Sequence, residues 1–335
     1  MRNILILAVL AMAAVWFFFL RGGGGEPVDP ASVVPEDGAA AVIAPEGEGE
    51  ATESEIPDEE PGGGASDLEG DPPVLSVERA TGSAAGSAVR TLTQDLADAR
   101  VALEEGRRME ALRILSRAYD LHSRDLESRR LLREQIDPIV ESVYFSGRPA
   151  DSVATFVEVK SGDTLEGITR RLQRERSVRV APGLIMRING IDDPRRIRVG
   201  QSLKVLTDPM RIQVTKSTHV LDVYLGDVPV LSYRVGLGKD DSTPEGTFVI
   251  ATRQIEPIWF NEGERIPFGD ERNVLGTRWL GFENTPGLSG YGIHGTWEPE
   301  SIGRNMSKGC VRMRNADVES LFELVPRGVE VTVRR

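Results

Sequence analysis

Residues 210–235 read MRIQVTKSTHVLDVYLGDVPVLSYRV. Ile212 and Val214 alternate with polar residues, Val220 and Val223-Tyr224-Leu225 follow, Gly226-Asp227 makes a turn, and Val228 to Val235 return. Alternation at a period of two places one set of side chains on one face of a pleated strand, and a short Gly-containing turn between two such runs marks a hairpin. A further alternating run, Val329, Val331 and Val333, supplies a last strand, with one helix expected over Asn315–Leu324. Residues 210–335 therefore read as a mostly-β, sheet-rich domain carrying one helix.

Inside that domain Tyr291-Gly292-Ile293-His294-Gly295-Thr296 is followed by Ser307-Lys308-Gly309-Cys310-Val311-Arg312-Met313, the cysteine lying sixteen residues beyond the histidine. Acyl transfer by a thiol needs a thiolate, an imidazole to take and return protons, and donors for a tetrahedral oxyanion. Gly309 lets the backbone take a shape other residues resist and frees amides near the nucleophile. Arg312 is able to hold a carboxylate with two parallel hydrogen bonds. One cysteine and one histidine are by themselves weak, since a buried packing cysteine is the commoner case. The full arrangement is more specific. It resembles the L,D-transpeptidase catalytic domain, the YkuD family, across roughly 210–335, in its His-Gly followed by Ser-x-Gly-Cys-x-Arg. The upstream Ser242-Thr243-Pro244-Glu245-Gly246-Thr247-Phe248 matches that family's Thr-Pro-x-Gly-x-Phe. The resemblance implies a sheet sandwich with one helix, in which Cys310 is the nucleophile and His294 its general base. It further implies that Ser307 and Gly309 shape the loop, while Arg312, with Gly295, helps place substrate. Lys308 stands where many members carry a second histidine, and a cation there would favour the thiolate. Of the other histidines, His219 at a strand start and His122 at a helix end read as structural. Trp259, Phe260, Trp279 and Phe282 read singly as core and together as a lid.

Upstream, 153–207 begins with Phe156, Val157 and Val159 as a strand, turns at Ser161-Gly162-Asp163, and continues into a basic amphipathic helix capped by Asp163 or Thr164. Ile188-Asn189-Gly190-Ile191 and Ile197-Arg-Val-Gly-Gln-Ser-Leu-Lys-Val205 complete a β-α-α-β unit. This unit is similar to the LysM domain over its whole length. LysM domains bind glycans containing N-acetylglucosamine, so the resemblance implies peptidoglycan as partner, with Gly162, Asp163, Thr164 and Ile191 as contacts. The stretch Arg174–Val180 lengthens the middle of the unit.

Residues 85–148 carry helical spacing, with Leu92, Leu96, Val101 and Leu103, then Ala111, Leu112, Leu115, Ala118 and Leu121. The second run is similar to half of a tetratricopeptide repeat, and a third helix over about 125–144 is expected to kink or break near Pro138. Before it, 22–84 is rich in Gly, Pro, Ala and acids. Residues 22–75 hold fifteen Asp or Glu and no Lys or Arg, so removing that −15 from the total of −12 leaves +3 for the rest. Such a stretch cannot bury enough surface to offset its ordering entropy and reads as a disordered linker. Residues 1–21 contain an apolar run from Ile4 to Leu20, at the short limit for a spanning helix, and read as a membrane anchor or a signal segment. No basic stripe suits nucleic acid, one cysteine permits no internal disulfide, and the chemistry calls for no metal or cofactor.

The expected activity is a 3→3 cross-linking transpeptidase working through a cysteine thioester, outside the cytoplasmic membrane and held to wall glycan by LysM. Alternatives are an L,D-carboxypeptidase, an enzyme that anchors proteins to peptidoglycan, and a non-catalytic wall-binding protein.

Overall fold

Residues 91–148 and 153–335 are described by the computed structural model. The expected anchor and acidic linker lie outside them. Among the described residues no helix is long and apolar enough to cross a membrane.

Three helices come first: α1 (Leu92–Glu104), α2 (Arg108–Leu121) and α3 (Leu126–Val143). Thr91 starts α1 with a capping box, its hydroxyl accepting from the Gln94 amide while the Gln94 side chain accepts from the Thr91 amide. Gly106, at φ 77°, makes the turn into α2. Asp125 caps α3, which continues through Pro138 without a break.

The glycan-module residues follow as β1 (Ala154–Glu158), α4 (Leu165–Arg176), α5 (Pro182–Asn189) and β2 (Ser202–Leu206). β1 and β2 pair antiparallel, Ala154 opposite Leu206 and Glu158 opposite Ser202. The Asn-Gly pair has a definite task. The Asn189 side chain donates to Ile185 O and Lys204 O and accepts from the Lys204 amide, pinning β2 to α5, while Gly190 ends the helix at φ 62°.

The C-terminal domain contains β3 (Met210–Thr215), β4 (Val220–Leu225), β5 (Val228–Arg234), β6 (Leu237–Gly238), β7 (Gly246–Ile255), β8 (Trp259–Asn261), β9 (Glu264–Ile266), β10 (Arg278–Phe282), β11 (Gly292–His294), β12 (Asn305–Ser307), β13 (Val311–Arg312), α6 (Asn315–Leu324) and β14 (Glu330–Arg334). Eight strands form one mixed sheet in the order β13-β11-β10-β7-β14-β3-β4-β5. The expected hairpin is β4–β5, and the last strand, β14, lies between β7 and β3, parallel to β3.

One hydrophobic core runs through all three regions. Buried polar contacts join them. Tyr119 donates to Asp222 at 2.8 Å, and the Arg129 guanidinium pairs with the same carboxylate. Arg133 donates to Pro229 O on edge strand β5 at 2.6 Å, occupying part of an edge that would otherwise be open to pairing. From the glycan module, Lys204 buries its ammonium against the carbonyls of Val143 and Ser146 at the end of α3, at 2.6 and 2.9 Å, where a helix terminus favours a cation. A β-carbon on Gly183 would lie 2.4 Å from Glu323 O, so α5 packs directly on α6.

Candidate active site

β11 and β13 run parallel and adjacent, Ile293 beside Val311 and His294 beside Arg312, and the Met313 amide donates to His294 O. This pairing brings together residues sixteen apart in sequence: His294 at the end of β11 and Cys310 just before β13. The intervening chain leaves through a short helical turn and returns as β12, which pairs with β6.

The imidazole is 2% exposed, with Trp279 tilted over it at 5.9 Å between ring centroids. Its Nδ1 lies 2.6 Å from the Gly295 carbonyl oxygen. A carbonyl can only accept, so Nδ1 carries the proton of the neutral ring and Nε2 is its basic nitrogen. Burial disfavours the imidazolium, and the Arg312 charge adds to this against the backbone hydrogen bonds of Gly295 and Leu275. Together they bring the His294 pKa down to about 4. A β-carbon on Gly295 would fall 2.2 Å from Asn315 Oδ1 at the start of α6, so a larger residue here has to displace that side chain.

Cys310 is half-buried, its thiol donating to Gly290 O at 3.6 Å. Desolvation raises its pKa to about 11, opposed by the Gly292 backbone and by Arg312. At neutral pH the thiol and the imidazole are thus both uncharged. Lys308 does not act as the thiol's cation. Its side chain is 79% exposed and turns to the β8–β9 tip, 3.3 Å from Asn261 Oδ1 and 3.7 Å from Glu262.

Ser307 shapes the nucleophile loop from within: its hydroxyl donates to Cys310 O at 2.7 Å and accepts from the Gly309 amide at 3.1 Å. Gly309, at φ 133°, is pressed between the Tyr291 ring and Ser242 O. Arg312 is 9% exposed, with Nη1 2.7 Å from Glu298 Oε2. Trp279 and Phe282 are buried on β10, whereas Trp259 and Phe260 are half-buried on the β8–β9 hairpin. His219 lies away from the thiol, its Nε2 2.8 Å from Asn305 Oδ1. Sequence reading missed Tyr291, Glu298 and the β6 backing of the loop, because contact rather than motif gives them their place.

In the glycan module, Asp163 accepts from the Lys160 amide and forms two hydrogen bonds with Arg171, at 2.7 and 3.0 Å. Thr164 caps α4 through the Gly167 amide. Gly162 is exposed at φ 80°. Ile191 lines a depression of about 640 Å³ with Arg196, Arg198 and Val199. Asp163 and Thr164 thus have turn-forming tasks of their own, and Ile191 faces an open site.

Residues 209–333 match the L,D-transpeptidase catalytic domain, YkuD, and residues 157–206 match the LysM domain. A Bacillus subtilis protein, YqjB, named as an L,D-transpeptidase, is 41% identical over 38% of this chain and 71% of its own length. The YkuD protein of Bacillus licheniformis, named likewise, is 36% identical over 52% of this chain and 96% of its own. Its Bacillus subtilis counterpart is 32% identical over 53% and 98%.

Proposed function

The chain belongs to the YkuD family of L,D-transpeptidases, and from that premise we propose that it forms 3→3 cross-links in peptidoglycan through a thioester on Cys310. The observation that carries this reading is the hydrogen bond from His294 Nδ1 to Gly295 O, which leaves Nε2 as the basic nitrogen of the neutral ring, on a strand adjacent to the one that Cys310 leads into. Nε2 takes the thiol proton as sulfur attacks the carbonyl between the diamino acid and D-Ala of a tetrapeptide stem. The Cys310 backbone amide receives the developing oxyanion, the Gly309 amide being engaged by Ser307 Oγ. The intermediate collapses, D-Ala leaves as the free amine with the proton from Nε2, and a thioester remains. A side-chain amine of a second stem then loses its proton to Nε2, attacks the thioester, and the thiolate departs to be reprotonated. Water as acceptor would give carboxypeptidase activity instead.

Peptidoglycan lies outside the cytoplasmic membrane, so the folded part works there, held by residues 4–20 and by LysM contacts to glycan. Intact-protein mass after incubation with a disaccharide-tetrapeptide tests the chemistry. Wild type is expected to gain the donor minus D-Ala, and Cys310→Ala to gain nothing. Adduct on Cys310→Ala, or none on wild type with product absent, would reject the reading.

A further inference from the structure

Among the buried cations that the chemistry above does not use, one lies under the nucleophile loop's neighbouring segment. Lys216, in the turn between β3 and β4, has a side chain 9% exposed, and its ammonium meets three acceptors. Thr243 O lies at 2.9 Å, Asp241 Oδ1 at 2.6 Å and Glu245 Oε1 at 3.3 Å. All three belong to the loop from β6 to β7, which carries the Ser-Thr-Pro-Glu-Gly stretch. Arg335 grips the same two carboxylates from the solvent side.

This loop is strained. Asp240 and Asp241 sit at φ 51° and 61°, in the left-handed region that side chains with a β-carbon disfavour. It is also the floor of the nucleophile loop. Thr243 Oγ1 accepts from the Gly238 amide at 2.7 Å, and Gly238 pairs with Ser307. A β-carbon on Gly238 would fall 2.8 Å from Gly309 Cα, and one on Gly309 would fall 3.0 Å from Ser242 O. Backbone thus lies close to backbone beneath the thiol, with the Ser242 hydroxyl against Gly238 and the Tyr291 ring against Gly309.

We infer that Lys216 is a positioning residue for the nucleophile, holding the strained 239–245 loop against Gly309 so that Cys310 stays aligned with His294. Without the ammonium, Asp241 and Glu245 are held only by Arg335 from the solvent side, the Thr243 carbonyl loses its donor, and the left-handed pair relaxes. Ser242 O then withdraws and the Ser307–Cys310 turn loses its support. Reacting groups displaced by about an ångström lose on the order of 10²-fold in rate. The contacts of Lys216 lie on the 239–245 loop and not on Arg312 or Gly295, the residues expected to place substrate, so binding should hold while acylation slows. The inference rests on Cys310 being the nucleophile.

The test follows acylation of the full chain by imipenem, read by intact mass against reagent concentration. Lys216→Met is expected to lower the limiting rate about 10–100-fold with the half-saturating concentration unchanged. Asp240→Gly, which removes the cost of the left-handed backbone, should restore most of that rate in the Lys216→Met background. A lysine that merely stabilises the fold would shift the melting midpoint and leave the acylation rate of folded protein alone. If Lys216→Met does not fold, Lys216→Gln takes its place, expected slow and again rescued by Asp240→Gly. Wild-type rates in the lysine variant, or a slow rate that Asp240→Gly leaves unchanged, would overturn the inference. A wild type that imipenem does not acylate would remove the nucleophile reading and the inference with it.

Discussion

His294 Nδ1 is held 2.6 Å from the carbonyl oxygen of Gly295, the next residue in the chain, so the tautomer of the base is set by its own backbone. With the imidazole brought to about 4 and the thiol raised to about 11, neither group is charged at neutral pH. Acylation should therefore be level through neutrality and fall only as Nε2 gains a proton near pH 4. Alkylation of Cys310 by iodoacetamide should rise with a midpoint well above the value near 8.5 of an ordinary thiol. A midpoint near 6 would mean a resting thiolate–imidazolium pair instead.

The same depression has a stability consequence. An unfolded histidine takes up a proton below about 6.5, whereas folded His294 resists until about 4. The unfolded chain thus binds more protons in that window, and stability rises with pH across it. Acidifying from pH 6.5 to 4 should cost up to roughly 3 kcal/mol from this one group. Urea denaturation of wild type and His294→Gln over that range checks it, the variant being expected to lose less.

Gly309→Ala should abolish most acylation while leaving the fold intact. Its β-carbon would meet the Tyr291 ring at 2.7 Å and Ser242 O at 3.0 Å, at a φ of 133°. The loop has to rise, taking Cys310 with it, and a loss of at least about 10²-fold in rate is expected. Unchanged imipenem acylation at an unchanged melting midpoint would show that the loop adapts.

Asp222→Ala should destabilise strongly without touching the chemistry. Asp222 is 0% exposed and takes both the Tyr119 hydroxyl and the Arg129 guanidinium. Removing it leaves a buried guanidinium without its counter-charge, a loss of about 3–5 kcal/mol. Denaturant titration measures it, and a change below about 1 kcal/mol would mean that water reaches Arg129.

That network also shows where sequence reading ends. The β4–β5 hairpin, the last strand and the helix at 315–324 were legible because each is written in local periodicity. Cys310 and His294 stood out because acyl transfer needs those residue types and because their motif resembles a family's, and adjacent strands β11 and β13 bring their segments together. Asp222 looks like any outward-facing residue in an alternating strand, and its partner Arg129 lies 93 positions away. Lys204 and Lys216 likewise read as surface lysines until the helices and loops they cap are in place. Arg312 was legible as a cation near the nucleophile. Its pairing with Glu298 was not, since nothing local in Trp297-Glu298-Pro299 points to it.

Arg312 yields the sharpest test of the site's electrostatics. It lies beside His294 across the β11–β13 pair, with Nη1 2.7 Å from Glu298 Oε2. Its charge works against a second cation on the imidazole and in favour of an anion on the thiol. Arg312→Met should therefore move both groups upward, the imidazole above about 4 and the thiol above about 11. Glu298→Gln removes the counter-charge and leaves the arginine's field less compensated, so both groups should move downward. Glu298 is half-exposed, so losing its partner strands no buried charge. The pH dependence of iodoacetamide alkylation reads the thiol, and an NMR titration of the His294 ring reads the imidazole. Neither depends on substrate. Opposite displacements in the two variants would establish Arg312 as the charge that sets the pair. If both midpoints stay put while the half-saturating concentration of a tetrapeptide donor rises in Arg312→Met, the arginine serves to hold the substrate carboxylate instead.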